Sequence, residues 1–307
     1  MLFLLPVLLV IAGLLIIPLN KKQGYSFMQD NCLGKSNWIY NRLFERDENI
    51  DIAFIGTSHI MDAVDEDVAA DFMKRRGVKR GIANLGYCRI GRNMDYAIVK
   101  DLFKQKRPGC IVLEVREREN RDGHMDFGYI ADSRDVLTPV MLFNDNYFTD
   151  LYKGIIVRLE ILKDNLLGKT KVGRGVVQYV RKPDSAIADV GQLDGIKRER
   201  VTKWEYSKGF GRWFYNRYSF TYIDNICSLA ANNNCAVIFL YLPGYGSIPQ
   251  PEEMEFYMAR GKVLLPPRDI YDNPANWKDQ DHMNAFGSVA LSEWLAAEII
   301  RIRKETN

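Results

Sequence analysis

Two short patterns, far apart in the chain, supply the residue types needed to move an acyl group through a serine. Ser58 follows Gly56 and Thr57 at the end of the apolar run Ile52-Ala53-Phe54-Ile55. Near the other end, Asp279 precedes His282 by three positions at the opening of the last amphipathic helix. A serine hydroxyl is a weak nucleophile until a base takes its proton, and the base must be held in one tautomer by a third group. An i, i+3 spacing on a helical turn predicts that Asp279 holds one ring nitrogen while the other points at Ser58. Asp281 is the alternative orienting acid, but a residue adjacent to His282 is poorly placed to reach its ring. The chain has only 3 histidines. His59 is expected to line a pocket or to be a satisfied polar residue, and His124 sits in a polar loop with no evident partner.

The elements around these residues alternate. After Ile52-Ala53-Phe54-Ile55, the acids Asp65, Glu66 and Asp67 suit the start of a helix running to Phe72. A strand is expected over residues 82–85. Met94, Ile98 and Leu102 mark one face of a helix, and Ile111-Val112-Leu113 follows the Pro108-Gly109 break. The alternation resumes with a helix over 219–233, a strand over 236–242 and a helix from Asn284 with Leu291, Leu295, Ile299 and Ile302 inward. Strand and helix in alternation predict an α/β fold: a three-layer α/β/α domain over residues 51–307 with a mainly parallel, flavodoxin-like sheet. Such a sheet puts Ser58 at its carboxyl edge, where open α/β folds bind ligands. Residues from about 121 to 215 interrupt the pattern as an insertion. It holds a helical stretch over 147–167, a basic glycine-rich loop over 168–181 and an aromatic segment from Trp204 to Tyr215. Those rings either pack the insertion onto the core or stack on sugar faces. No nucleotide-binding glycine motif occurs.

The motifs resemble the blocks of the SGNH (GDSL-like) hydrolase superfamily. Gly56-Thr57-Ser58 resembles the nucleophile block, with Thr where many members carry Asp. Asn84-Leu85-Gly86 is similar to the second block, whose glycine N–H helps bind the oxyanion. Asp279-x-x-His282, continued by Met283, Asn284 and Gly287, resembles the last block of a membrane-linked subset. That subset includes proteins similar to the D-alanyl transfer protein of teichoic acid modification and the alginate O-acetyltransferases. The third block, normally Gly-x-Asn-Asp, is absent; its place reads Glu114-Val115-Arg116-Glu117-Arg118-Glu119-Asn120. Arg116 or Asn120 is expected to replace its oxyanion donor, unless backbone N–H groups of Ser58 and Gly86 suffice.

Composition sets outer bounds. The 307 residues, 47% hydrophobic and 26% charged, are globular in character, and a formal charge of +3 gives no argument for nucleic acid. The 5 cysteines form no C-x-x-C pair, so neither a metal nor another cofactor is expected; Cys227 and Cys235 could bridge in an oxidising compartment, although an odd total argues against a disulfide framework. Residues 1–19 carry no charge, and at 1.5 Å each they reach about 28 Å, enough for one transmembrane anchor. A tether over 20–50 would follow. Lys21 and Lys22 just after the span would keep the body cytoplasmic by the positive-inside rule. The resemblance implies the extracytoplasmic face. It also implies a tethered serine esterase or O-acyltransferase acting on acyl, chiefly acetyl, esters of a cell-envelope polysaccharide. Its partners would then be the acylated polysaccharide or acyl donor and a membrane acyltransferase. From another class, a non-catalytic glycan-binding or scaffold module is the alternative, favoured by the missing third block.

Overall fold

The computed structural model describes residues 9–10, 13–15, 17–28, 32–137, 144–168, 179, 184–203, 205 and 208–306. Its elements in chain order are α1 (Lys21–Phe27), α2 (Lys35–Tyr40), β1 (Ile52–Ile55), α3 (Ser58–Ala63), α4 (Glu66–Arg75), β2 (Ile82–Asn84), α5 (Arg92–Gln105), β3 (Cys110–Val115), α6 (Tyr147–Leu166), α7 (Val190–Lys203), α8 (Gly209–Asn232), β4 (Ala236–Tyr241), β5 (Lys262–Leu264) and α9 (Ala285–Thr306), with shorter helical turns between them. The five strands form one parallel sheet in the order β2-β1-β3-β4-β5. This is the flavodoxin-like doubly wound order, so the expected parallel α/β sheet with flanking helices holds.

The apolar runs read as strands buried on both faces, and the sheet uses them that way. Ala53, Ile55, Ile111, Leu113 and Phe239 point into one core with α5 and α8. Ile52, Phe54, Val112, Ile238 and Leu240 point into the other with α4 and α9. Asp65 caps α4 by accepting from Asp67 and Val68 N–H, and Leu291, Leu295 and Ile299 of α9 are buried as their spacing requires.

Several expectations are corrected. The stretch 20–50 is no loose tether: Tyr25, Met28, Ile39 and Leu43 are fully buried in the first core. Lys21 pairs with the buried Asp101 (3.0 Å), while Lys35 Nζ donates to Asn84 O (2.8 Å). A buried carboxylate such as Asp101 needs a cation, and this segment supplies it. Cys227 and Cys235 are free, and the disulfide joins Cys32 to Cys88, with Cα atoms 5.8 Å apart. β5 and α7 arise where no element was expected, and α8 begins ten residues early, at Gly209. Among the described residues no helix is long and apolar enough to cross a membrane. Most of the expected span 1–19 and of the glycine-rich loop 168–181, together with Trp204, lies outside the described residues.

Candidate active site

β1 ends at Ile55, the chain turns through Gly56, and α3 begins at Ser58 with Thr57 as its cap. The turn is built around a buried carboxylate. Glu114, on the neighbouring β3, is fully buried; Thr57 N–H donates to its Oε2 (2.6 Å), Thr57 Oγ1–H to its Oε1 (2.9 Å) and Ile60 N–H to its Oε2 (3.3 Å). Gly56 has φ +154°, and a Cβ there would sit 2.5 Å from Glu114 Oε2. Glycine is therefore required twice over, by the backbone and by the carboxylate. Thr57 Oγ1 in turn accepts from His59 N–H (3.2 Å).

Ser58 Oγ lies 2.9 Å from His282 Nε2, and His282 Nδ1–H donates to Asp279 Oδ1 at 2.9 Å. With Nδ1 protonated, Nε2 is free to accept the serine proton, as a nucleophile–base–orienter relay needs. Residues 279–282 do not form the helical turn that the spacing suggested. They lie in a loop before α9, closed by an antiparallel bridge between Trp277 and Met283. The acid reaches the ring because Asp279 Oδ1 also accepts from the N–H groups of Asp281 and His282, both at 2.8 Å. Such an aspartate turn stores the orientation in the backbone itself.

The electrostatics follow from these contacts. The hydrogen bond donated to Asp279 raises the His282 pKa above its ordinary value, against the opposing effect of burial. Asp279 is pushed up by desolvation, but the donors from His282 and Asp281 outweigh this and bring it down to about 2. Asp281 faces away from the ring and pairs with Arg200 (2.6 Å).

The other expected site residues separate. Ser58 N–H, at the first position of α3, has no acceptor among the described residues, which leaves it open to an oxyanion. Gly86 N–H instead donates to Asn84 Oδ1 (3.1 Å). Asn84 Nδ2 donates to the carbonyls of Ile60 (2.8 Å) and Val64 (2.7 Å), so its amide braces α3 from below rather than facing substrate. Asn120 Nδ2 is directed to Asp122 (2.6 Å). Arg116 lines a cleft of about 360 Å³ together with Thr57, Asn120 and Ser247, its nearest carboxylate being Glu117 at 3.7 Å. Of the two substitutes for the absent third block, both line this cleft, and Asn120 Nδ2 is already bonded to Asp122.

His59 is buried, with Nδ1–H toward Leu242 O (3.3 Å); burial and the nearby Arg116 lower its pKa. His124, expected to lack a partner, is buried, donates from Nε2 to Cys88 O (2.7 Å) and accepts Asp126 N–H at Nδ1 (3.0 Å). Two residues escaped the sequence reading. Glu114 had a visible signal, a lone charge in the otherwise apolar run Cys110–Val115. Arg200 had none: it reaches in from α7 to Asp281, Tyr245 O (3.0 Å) and Ser247 Oγ (3.3 Å). Gly244 makes room for it, since a Cβ there would lie 2.0 Å from Arg200 Nη1.

The role of Glu114 is testable. Glu114→Ala leaves the donors of Thr57 and Ile60 unsatisfied, at about 1–3 kcal/mol each. The expected result is a lower Tm and a kcat loss that persists well below the new Tm. Glu114→Gln, whose carbonyl can still accept Thr57 N–H, should recover most of both. Equal kcat in wild type and Glu114→Ala at a temperature where both are folded would remove Glu114 from the positioning of Ser58.

No protein-family model matches this chain, and no curated protein matches it.

Proposed function

We propose that this protein is a membrane-tethered, SGNH-like serine esterase or O-acyltransferase. Its substrates would be acyl esters, acetyl above all, of a cell-envelope polysaccharide. The observation that carries the proposal is the unbroken relay from Ser58 Oγ through His282 to Asp279, each step at 2.9 Å. Ser58 attacks the ester carbonyl, His282 takes the proton and returns it to the leaving oxygen, and Asp279 holds the imidazole. Ser58 N–H, with Arg116 at the cleft wall, would meet the developing oxyanion. A second attack, by water or by a sugar hydroxyl, releases the acyl group.

Two features support a glycan as the second reactant. Phe210, Trp213 and Tyr215 on α8 are exposed rather than packed on the core. Of the three, Trp213 lines a cleft of about 570 Å³ that also presents Arg212 and Asn216. Flat rings beside hydrogen-bonding groups suit the faces and hydroxyls of sugars. The extracytoplasmic face is supported by the Cys32–Cys88 disulfide, which persists in oxidising compartments. Lys21, half of the charge that argued for the cytoplasm, is neutralised by Asp101 and Asp132. The competing non-catalytic scaffold draws on one observation: the amides of Asn84 and Asn120 are turned to other contacts.

Donor consumption by the full chain, with and without an oligosaccharide panel, separates the possibilities. The expected outcome is slow hydrolysis of small acetyl esters, faster consumption when a suitable glycan is added, and acetylated sugar by mass spectrometry. Fast hydrolysis indifferent to every glycan would make it a plain esterase. No turnover and no labelling by a fluorophosphonate would leave the scaffold.

A further inference from the structure

Helix α6 is apolar on two opposite sides. One side faces the body: Gly154, Val157 and Ile161 are buried there, with Arg158 buried among them and donating to Gly154 O (2.9 Å) and Ala131 O (3.3 Å). The other side carries Phe148, Tyr152, Ile155, Leu159, Leu162 and Leu166, spaced 4, 3, 4, 3 and 4 residues apart. On a 3.6-residue helix these six lie within about 40° of a single line. Ile155 is half-buried; the other five are exposed, Phe148 by 81% and Leu166 by 77%. A helix on the surface of a soluble domain ordinarily turns a polar face outward, so a stripe running its whole length calls for a cover.

The chain itself indicates the cover. The uncharged residues 1–19 lead directly into α1, which packs beside α6: Gln23 Nε2 on α1 donates to Asp164 Oδ2 near the end of α6 (3.0 Å). Leu15 is buried, and its carbonyl accepts from Ser133 Oγ, next to Arg158, whose Nη2 donates to the same hydroxyl (3.2 Å). Asn20 and Gln23 are three positions apart, so their Cα atoms are at most about 11 Å apart. Leu14 and Leu15 therefore lie on the body beside α6, and whatever receives the uncharged residues before them lies near that helix. We propose that α6 lies in the surface of the lipid bilayer, its stripe sunk to the boundary between headgroups and acyl chains. Helices of this kind bury their apolar face by about 5–10 Å. Lys163 on the flank of the stripe has its side chain 55% exposed, long enough to lay its stem on lipid and its ammonium among headgroups. The bilayer thus holds the body at two places, which fixes its orientation and not only its distance.

This inference rests on the reading of residues 1–19 as a membrane anchor, and the test keeps the two apart. The full chain is reconstituted in vesicles of phosphatidylethanolamine and phosphatidylglycerol. Nitroxide labels are placed by Tyr152→Cys and Leu159→Cys, with Glu199→Cys on α7 as the water-exposed control and the labelled parent chain as background. Sedimentation with the vesicles reports the anchor; collision with oxygen against a water-soluble nickel chelate reports α6. The expected result is co-sedimentation, with oxygen favoured at 152 and 159 and the chelate favoured at 199. Co-sedimentation with 152 and 159 as chelate-accessible as 199 overturns the bilayer contact and leaves the anchor intact. Spin–spin broadening at 152 or 159 that disappears on dilution with unlabelled protein assigns the stripe to a second copy and overturns the proposal. Failure to sediment overturns both.

Discussion

Ser58→Ala should abolish covalent labelling by a fluorophosphonate and reduce ester turnover by a factor on the order of 10⁴ to 10⁶. The expectation follows from the contacts of the hydroxyl. Its oxygen meets His282 Nε2, while the turn that carries it is held by Thr57 and Glu114. Removing one hydroxyl leaves those bonds in place, so circular dichroism and Tm should be unchanged. His282→Ala should match it in severity, because nucleophile and base act as one unit and losing either stops the relay. Undiminished turnover in Ser58→Ala would end the catalytic interpretation.

Asp279→Asn should leave folding intact yet reduce turnover by about 10⁴, the scale on which a misheld imidazole matters. The pH profile carries further information. Turnover needs neutral His282, and its raised pKa delays that form to higher pH; activity should therefore climb with pH through a midpoint above about 6.5 and then level off. The Asp279 hydrogen bond and charge cause the elevation, so Asp279→Asn should move the midpoint downward while the plateau falls. Asp281→Asn alters the contact with Arg200 and should affect rate far less. A larger loss in Asp281→Asn than in Asp279→Asn, or an unmoved midpoint in Asp279→Asn, would mean that the orienting acid is misassigned.

The fold was legible where burial is continuous. Strands such as Ile52-Ala53-Phe54-Ile55 are apolar because helices cover both faces, and that pattern has few alternative meanings. β5 was not legible, since three residues with Lys262 exposed carry almost no periodicity. α7 is polar, with Leu193 alone buried, so its docking through Arg200 left no apolar trace. Ser58, His282 and Asp279 could be named because their chemistry demands those residue types. The route by which Asp279 reaches the ring could not, because a helical turn and an aspartate turn give the same spacing. Asn84 and Gly86 were misplaced for a related reason: a short polar block beside a nucleophile is compatible both with touching substrate and with bracing the helix that does.

The Cys32–Cys88 link spans a sequence separation of 56, and Ser58 lies inside the covalent ring that it closes. Closing a ring of that size removes disorder from the unfolded chain worth about 4 kcal/mol in the chain-entropy account. This is a large part of the net stability of an ordinary domain. The contribution exists only once the thiols are oxidised, so the balance between folded and unfolded chain depends on the compartment in which maturation ends. A copy held among reductants keeps an open ring, and one in an oxidising space is closed around Ser58. The redox state in which the chain matures and how firmly it folds are then one variable.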